Sequence, residues 1–219
     1  MIIELHAHTN ASDAVQSVEE TIRFAETKVG ALAITDHNTF GGYYKSRQIK
    51  TDLLVIPGIE VSTDCGHIVG LGIEELKFKE KEDACSIIDK IHSSGGTSIA
   101  AHPYRIGLGL NTNEGVLKRV NAIEVLNGNT PMKYNRRARK TAEELKKPMT
   151  CGSDAHRIKD IGRFSCETKA TNIDGILKAV RKGDLVLSDK TVKITSLISK
   201  VIYRRMYLTK RKMFGNPTM

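Results

Sequence analysis

Histidines and carboxylates recur in this 219-residue sequence at one kind of place, the end of a short apolar run. His6 and His8 close the run that begins at Ile2, and Asp36 and His37 follow residues 31–34. Glu60 comes just after Pro57 and Gly58, which end the run 53–56, and His67 lies on the return arm of a hairpin. His102 ends residues 97–101, and Asp154 and His156 follow the run through Cys151. Imidazole and carboxylate together are the ligands of Zn²⁺, Mn²⁺ and Fe²⁺, and no Cys-x-x-Cys pair points instead to a thiolate site. In an extended strand, residues i and i+2 point the same way, so His6 and His8 can grip one ion. Any one of these pieces is weak evidence. Six of the seven histidines in such positions, with only His92 on a helix, is a pattern that scattered core histidines would not produce.

Strand-like and helix-like segments must carry these groups, and they alternate along the chain. Strands are expected at residues 2–5, 31–34, 53–56, 97–101, 122–126 and 149–152, with a hairpin from 59–62 to 67–72. A helix is expected from Ser17, where Ser17 and Glu20 form a capping box ahead of Val18, Ile22 and Ala25. Others are expected at 84–92, 113–120, 132–146 and 173–182, and short strands at 186–187 and 192–194 close the pattern. Such repeated units imply a parallel sheet or barrel with helices outside. In that architecture the carboxyl ends of the strands gather on one face, so residues distant in sequence converge there.

Net charge is +9, but residues 190–219 hold Lys190, Lys193, Lys200, Arg204, Arg205, Lys210, Arg211 and Lys212 with no acid. The body of the chain is therefore nearly neutral. From Leu197, the residues Ile198, Val201, Ile202, Tyr203 and Met206 recur at helical spacing, which reads as a basic amphipathic helix or tail. Such an end suits phosphate-rich partners, possible nucleic-acid contact included, or an anionic membrane surface. The absence of Trp argues against a long base-stacking surface. Free cysteines, no leader pattern and no long apolar run give the expectation of a cytoplasmic protein.

The segments HAHTNASD, ITDHN, PGIEVS, GHIVGLGI, AHPYR and GSDAH, in this order over residues 6–156, resemble the PHP (polymerase and histidinol phosphatase) superfamily. The resemblance implies a distorted (β/α)7 barrel, with the domain over 1–195 and the basic tail over 196–219. It also implies two or three divalent ions of Mn, Zn or Fe. By that resemblance His6, His8, Glu60 and Asp154 hold a first ion, Glu60 bridges to a second held also by His67 and His102, and Asp13, His37 and His156 hold a third. Glu60, Asp154 and His102 would then be central to catalysis. Two ions about 3.5–4 Å apart activate a water for attack on phosphorus, with no Ser or Cys nucleophile. Arg105 and Arg163, in loops adjoining ligand motifs, are the candidates for holding substrate phosphate, since Arg pairs with phosphate through two N–H groups. Lys45, Arg47 and the basic face of residues 132–146 are weaker candidates.

The expected activity is hydrolysis of phosphomonoesters or phosphodiesters, of nucleotide 3′,5′-bisphosphates or short 5′-phosphorylated oligonucleotides in particular. A histidinol-phosphate-type phosphatase, a non-catalytic nucleic-acid-binding module and an amidohydrolase-like C–N hydrolase are the alternatives. An intact ligand set opposes the module, and Glu60 at the bridging position, where amidohydrolases often use a carboxylated Lys, opposes the last.

Overall fold

The computed structural model describes residues 1–110 and 113–187, so the basic stretch 190–219, the strand expected at 192–194 and the domain boundary at 195/196 lie outside the described residues. In chain order the elements are β1 (Ile2–Ala7), α1 (Val18–Ala25), β2 (Ala31–Ile34), α2 (Gly41–Ser46), β3 (Leu54–Ser62), β4 (His67–Leu71), α3 (Ala84–Ser93) and β5 (Thr97–Ala100). Then come α4 (Glu114–Arg119), β6 (Ala122–Asn127), α5 (Met132–Glu144), β7 (Met149–Gly152), a 3-10 turn (Ile158–Asp160), β8 (Cys166–Glu167), α6 (Ile173–Lys182) and β9 (Val186–Leu187). The strands form one sheet in the order β7-β6-β5-β4-β3-β2-β1-β8-β9. Just past β7, Ala155 bridges in parallel to Ala7, and the amide of His8 donates to the Ala155 carbonyl at 3.0 Å. The sheet therefore curls until β7 meets β1, a nearly closed seven-stranded barrel with β8 and β9 attached beside β1.

Alternation along the strands sorts the core. Leu32 and Ile34 of β2 point outward onto Val18, Ile22 and Ala25 of α1, whose start is fixed by the expected Ser17–Glu20 capping box. Ala31 and Ala33 point the other way, joining Ile3, Leu5, Ile56, Val69, Leu71 and Ile99 inside the barrel. Ile176, Leu177 and Val180 of α6 belong to this inner cluster. Arg181 of α6 reaches Thr97 at the start of β5, so α6 plugs the end opposite the strand carboxyl ends. The outer layer of β4, β5 and β6 is covered by α3, α4 and α5 through Ile87, Ile91, Val116, Leu117 and Ala138.

Three local expectations need correction. The run 53–56 does not stop at Pro57: β3 continues through Pro57 and Gly58 to Ser62. Proline is tolerated because β4 begins to pair only at Gly58, so no ladder bond from residue 57 is required, and the Pro57 carbonyl still accepts from the amide of Gly72 at 2.8 Å. The stretch around Gly41 and Gly42, just before Lys45 and Arg47, where the sequence pattern above gives no helix, forms α2, packed so closely over Asp36 that a Cβ at Gly42 would lie 2.7 Å from the Thr9 hydroxyl. The third is that β8, unforeseen in the sequence, pairs antiparallel to β1.

A β-bulge aims the first histidines. In β1, Glu4 lies opposite Leu32, but Ala7 lies opposite Ile34, so β1 carries one extra residue there. The bulge reverses the alternation. Ala7 faces α1 with Leu32 and Ile34, and His6 is turned toward the barrel mouth. The amide freed at His6 is taken up by the buried Glu4 carboxylate at 3.1 Å, which also accepts from Ser153 N at 2.9 Å and Gly162 N at 3.0 Å. Burial pushes the Glu4 carboxyl up to about 7 against these lowering hydrogen bonds.

Candidate metal centre

The barrel mouth gathers all nine residues expected as ligands. His6 lies in β1 and His8 follows it, while His37 follows β2. Glu60 lies near the end of β3. His67 opens the antiparallel β4 opposite Ser62, which places it at the same end of the barrel. His102 follows β5, and Asp154 and His156 follow β7. Asp13 arrives on the loop after β1, which is fastened by Asp36: its carboxylate accepts from the Thr9 amide, the Thr9 hydroxyl and the Ser12 hydroxyl, each at 2.7 Å.

Glu60 is the hub. Its Oε1 is 2.9 Å from His67 Nδ1 and 2.9 Å from His102 Nε2. Its Oε2 is 3.1 Å from His37 Nδ1, 3.3 Å from His8 Nε2 and 3.4 Å from His6 Nε2. Asp154 Oδ1 is 3.2 Å from His8 Nε2 and 3.4 Å from His156 Nδ1, and Asp13 Oδ1 is 3.2 Å from His156 Nε2. Four donor groups each fit around a point: His8, Asp13, His37 and His156; His6, His102 and Asp154; His6, His8 and Glu60; and His37, Glu60 and His67. Glu60 belongs to two of them, and so do His6, His8 and His37; His37 joins Glu60 and His67 as well as Asp13 and His156.

These residues fit a cluster of divalent ions. Asp13, Glu60 and Asp154 bring three negative charges into a largely buried space, which is costly unless cations enter. Several donor atoms there, including His6 Nε2, His37 Nδ1, Glu60 Oε2 and His102 Nδ1, make no hydrogen bond although fully buried. Burial lowers the His8 imidazole, and lowers that of His37 to about 4, so both present lone pairs at neutral pH. Burial opposes the charge on Glu60, but His37, His67 and His6, with the hydrogen bond to His102, hold its carboxyl well below the usual range. Asp154 is held low in the same way, against burial, by His6, His8, His156 and Arg105. At His6, burial is outweighed by Glu124, Glu60 and Asp154, which hold its imidazole well above its ordinary value. A site that retains a proton so firmly is one that favours a cation in its place.

Two of the candidate ligands sit on strained backbone. His102 has φ +31° and Asp154 has φ +49°, conformations rare outside glycine and common at functional sites. Of the two arginines, Arg105 reaches the centre, its guanidinium 2.8 Å from Asp154 Oδ2. Arg163 is engaged elsewhere, 3.7 Å from Asp160 Oδ1. Arg47 pairs with Glu74, and Arg137 of α5 stacks on the Tyr104 ring. His92 stays outside the centre, 2.8 Å from the Ser98 hydroxyl. Histidine spacing overlooked Glu4 and Glu124, and Asp36, noted beside His37, is not among the converging groups; all three are buried carboxylates that hold neighbouring segments rather than face the cluster. The signal available was charge where the strand pattern demands apolar residues, as at Glu4 in residues 2–5 and Glu124 in residues 122–126.

A family model described as PHP-associated matches residues 133–185. Over 120 residues the chain is 32% identical to an uncharacterised protein of Methanocaldococcus jannaschii, MJ1587, covering 48% of this chain and 68% of that one. The chain belongs to the PHP superfamily. Its barrel superposes with TM-score 0.71 on a two-domain protein from Bacteroides vulgatus containing a predicted PHP-like metal-dependent phosphoesterase, at 17% identity, covering 93% of this chain and 69% of that one. Over 83 residues this PHP chain is 41% identical to the 5′-3′ exoribonuclease Rnm of Escherichia coli. That match covers 34% of this chain and 28% of the exoribonuclease. No helix among the described residues is long and apolar enough to cross a membrane.

Proposed function

We propose that this PHP protein is a metal-dependent phosphoesterase acting on nucleotides, as 3′,5′-bisphosphates or as short 5′-phosphorylated oligonucleotides. The observation that carries this reading is the convergence of nine imidazole and carboxylate side chains, Glu60 at their hub, on the barrel mouth, with one arginine at their edge. His6, His8, Glu60 and Asp154, then Glu60, His67 and His102, then Asp13, His37 and His156 would hold the ions. Bound there, divalent ions supply a water acidified to near neutral pH and a positive field for the phosphoryl oxygens. The chain's own residues do the rest. Glu60, an acceptor in two neighbouring donor groups, would be shared between the ions they hold. His8 and His37, neutral at neutral pH, remain ligands and not acids. Arg105, 2.8 Å from Asp154 Oδ2, would pair with a phosphate oxygen at the edge of the cluster. The likeness to an exoribonuclease and the eight cations of residues 190–219 support a nucleotide over a small sugar or amino-alcohol ester.

The deciding experiment is a panel of phosphorylated substrates given to chelated protein with and without added Mn²⁺. Release of phosphate or mononucleotides from the bisphosphate and the 5′-phosphorylated oligonucleotide, only with metal, is the expected result. Salt-sensitive RNA binding without turnover at any metal concentration would make the protein a binding module instead. Arg105→Ala should lower kcat/KM about 100-fold, the scale of one lost charge-assisted contact to a phosphoryl group. Arg105→Lys should recover only part of it, because an ammonium lacks the planar fork. Steady-state kinetics on the preferred substrate checks both, and an unchanged kcat/KM in the alanine variant would remove Arg105 from the phosphate site.

A further inference from the structure

We infer that Glu124 is the positioning residue of this centre, the group that selects the ring form of His6 and locks the His102 backbone so that both can bind metal. The inference rests on the metal-site reading above. Glu124 lies in β6, is buried, and occupies a position where the strand pattern calls for an apolar residue. Its two oxygens serve three donors. Oε1 is 2.9 Å from His6 Nδ1, while Oε2 accepts from the His102 amide at 2.8 Å and from Asn127 Nδ2 at 2.9 Å.

Each contact has a consequence for a ligand. A carboxylate only accepts, so the His6 ring carries its hydrogen on Nδ1 when neutral, and the Nε2 lone pair is left facing Glu60 and Asp154. The opposite tautomer would put N–H where the ion must sit. The second contact acts on backbone. His102 adopts φ +31°, its amide donates to Glu124 at 2.8 Å, and in that conformation its Nε2 lies 2.9 Å from Glu60. One side chain in β6 therefore orients ligands from β1 and β5. Asn127 completes the arrangement, and its Oδ1 accepts from the Asn129 amide and the Thr130 hydroxyl, tying the carboxylate to the β6–α5 loop.

The test compares Glu124→Gln, which keeps the shape, with Glu124→Ala. Glutamine offers one acceptor oxygen and one donor group to three donors, so it cannot replace the carboxylate. Mn²⁺ stoichiometry and affinity are read by calorimetry and elemental analysis, and the His6 tautomer by long-range ¹H–¹⁵N spectra of metal-free protein followed up in pH past the deprotonation of that ring, assigned with a His6→Ala variant. Expected are a 10- to 100-fold weaker first-bound Mn²⁺ in Glu124→Gln, a larger loss in Glu124→Ala, and a His6 signal shifted away from the Nδ1–H form. The ion held by Asp13, His37 and His156 should bind as in the unmodified protein. A role confined to packing would lower the melting temperature while leaving affinity and tautomer unchanged, and that result overturns the inference. Failure of the unmodified protein to bind any divalent ion would instead overturn the site reading itself. Should Glu124→Ala not fold, Glu124→Gln alone decides.

Discussion

Glu60→Gln should lower kcat/KM by about 10³-fold or more while leaving the barrel folded. The magnitude follows from what the charge does at this position. Five imidazoles lie within 3.4 Å of the two Glu60 oxygens. An amide of the same size presents one oxygen and one N–H group to them, so one ion position loses a ligand and gains a donor aimed at it. Loss of a single group that stabilises developing charge costs about 10²–10³-fold in comparable sites, and loss of a bridge removes two such contributions. Metal content should fall by at least one equivalent, read by elemental analysis after gel filtration. The circular dichroism spectrum should be retained, because the hydrophobic clusters inside and outside the barrel do not include Glu60. Full activity in this variant would remove Glu60 from the centre, and with it the two-ion geometry.

Much of this centre is legible in the sequence because ligand chemistry and strand geometry constrain it twice. His6 and His8 read as a pair from their spacing alone. The repeated placement of polar groups after apolar runs points to the end of the barrel at which the candidate ligands gather. What the sequence conceals is how those groups are aimed. Simple alternation from Ile3 and Leu5 would send His6 outward with Glu4, and only the pairing of Ala7 with Ile34 shows the extra residue that reverses it. Pro57 hides the continuity of β3, because a proline reads as a break unless the neighbouring strand's pairing register is known. Arg105 and Arg163 look alike in sequence, each in a loop beside a ligand motif. The turn at Asp160 separates them, since its carboxylate, which accepts from Arg157 at 2.9 Å, also draws Arg163 to 3.7 Å. A buried acid such as Glu124 carries no spacing signature, since two of its three partners, the His6 ring and the His102 amide, lie far away in the chain.

Gly152→Ala should damage the centre through a single methyl group. The glycine of the GSDAH segment ends β7 where the barrel closes against β1. A Cβ there would lie 2.4 Å from His6 Cβ and 2.7 Å from Glu124 Oε1, distances that real carbon atoms do not tolerate. Neither neighbour can yield cheaply. His6 is fixed by the β1 bulge and by Glu4, and Glu124 is fixed by three donors. Overpacking of this kind costs about 1–3 kcal/mol, which corresponds to a fall in melting temperature of roughly 5 °C for a chain of this size. The functional loss should exceed that modest figure. A displacement of about 1 Å in a group that positions the reacting centre costs on the order of 100-fold in rate. Gly115→Ala supplies the control, because that glycine sits in α4 with only Asn113 Oδ1 near, at 3.4 Å, and alanine favours a helix. Thermal melts, Mn²⁺ content and kcat/KM measured on both variants should therefore diverge: Gly115→Ala unchanged or slightly stabilised and fully active, Gly152→Ala destabilised and depleted of the ion that His6 helps to hold. Equal behaviour of the two would mean that β7 does not press on β1, and the barrel closure that brings Asp154 and His156 to His6 and His8 would have to be abandoned.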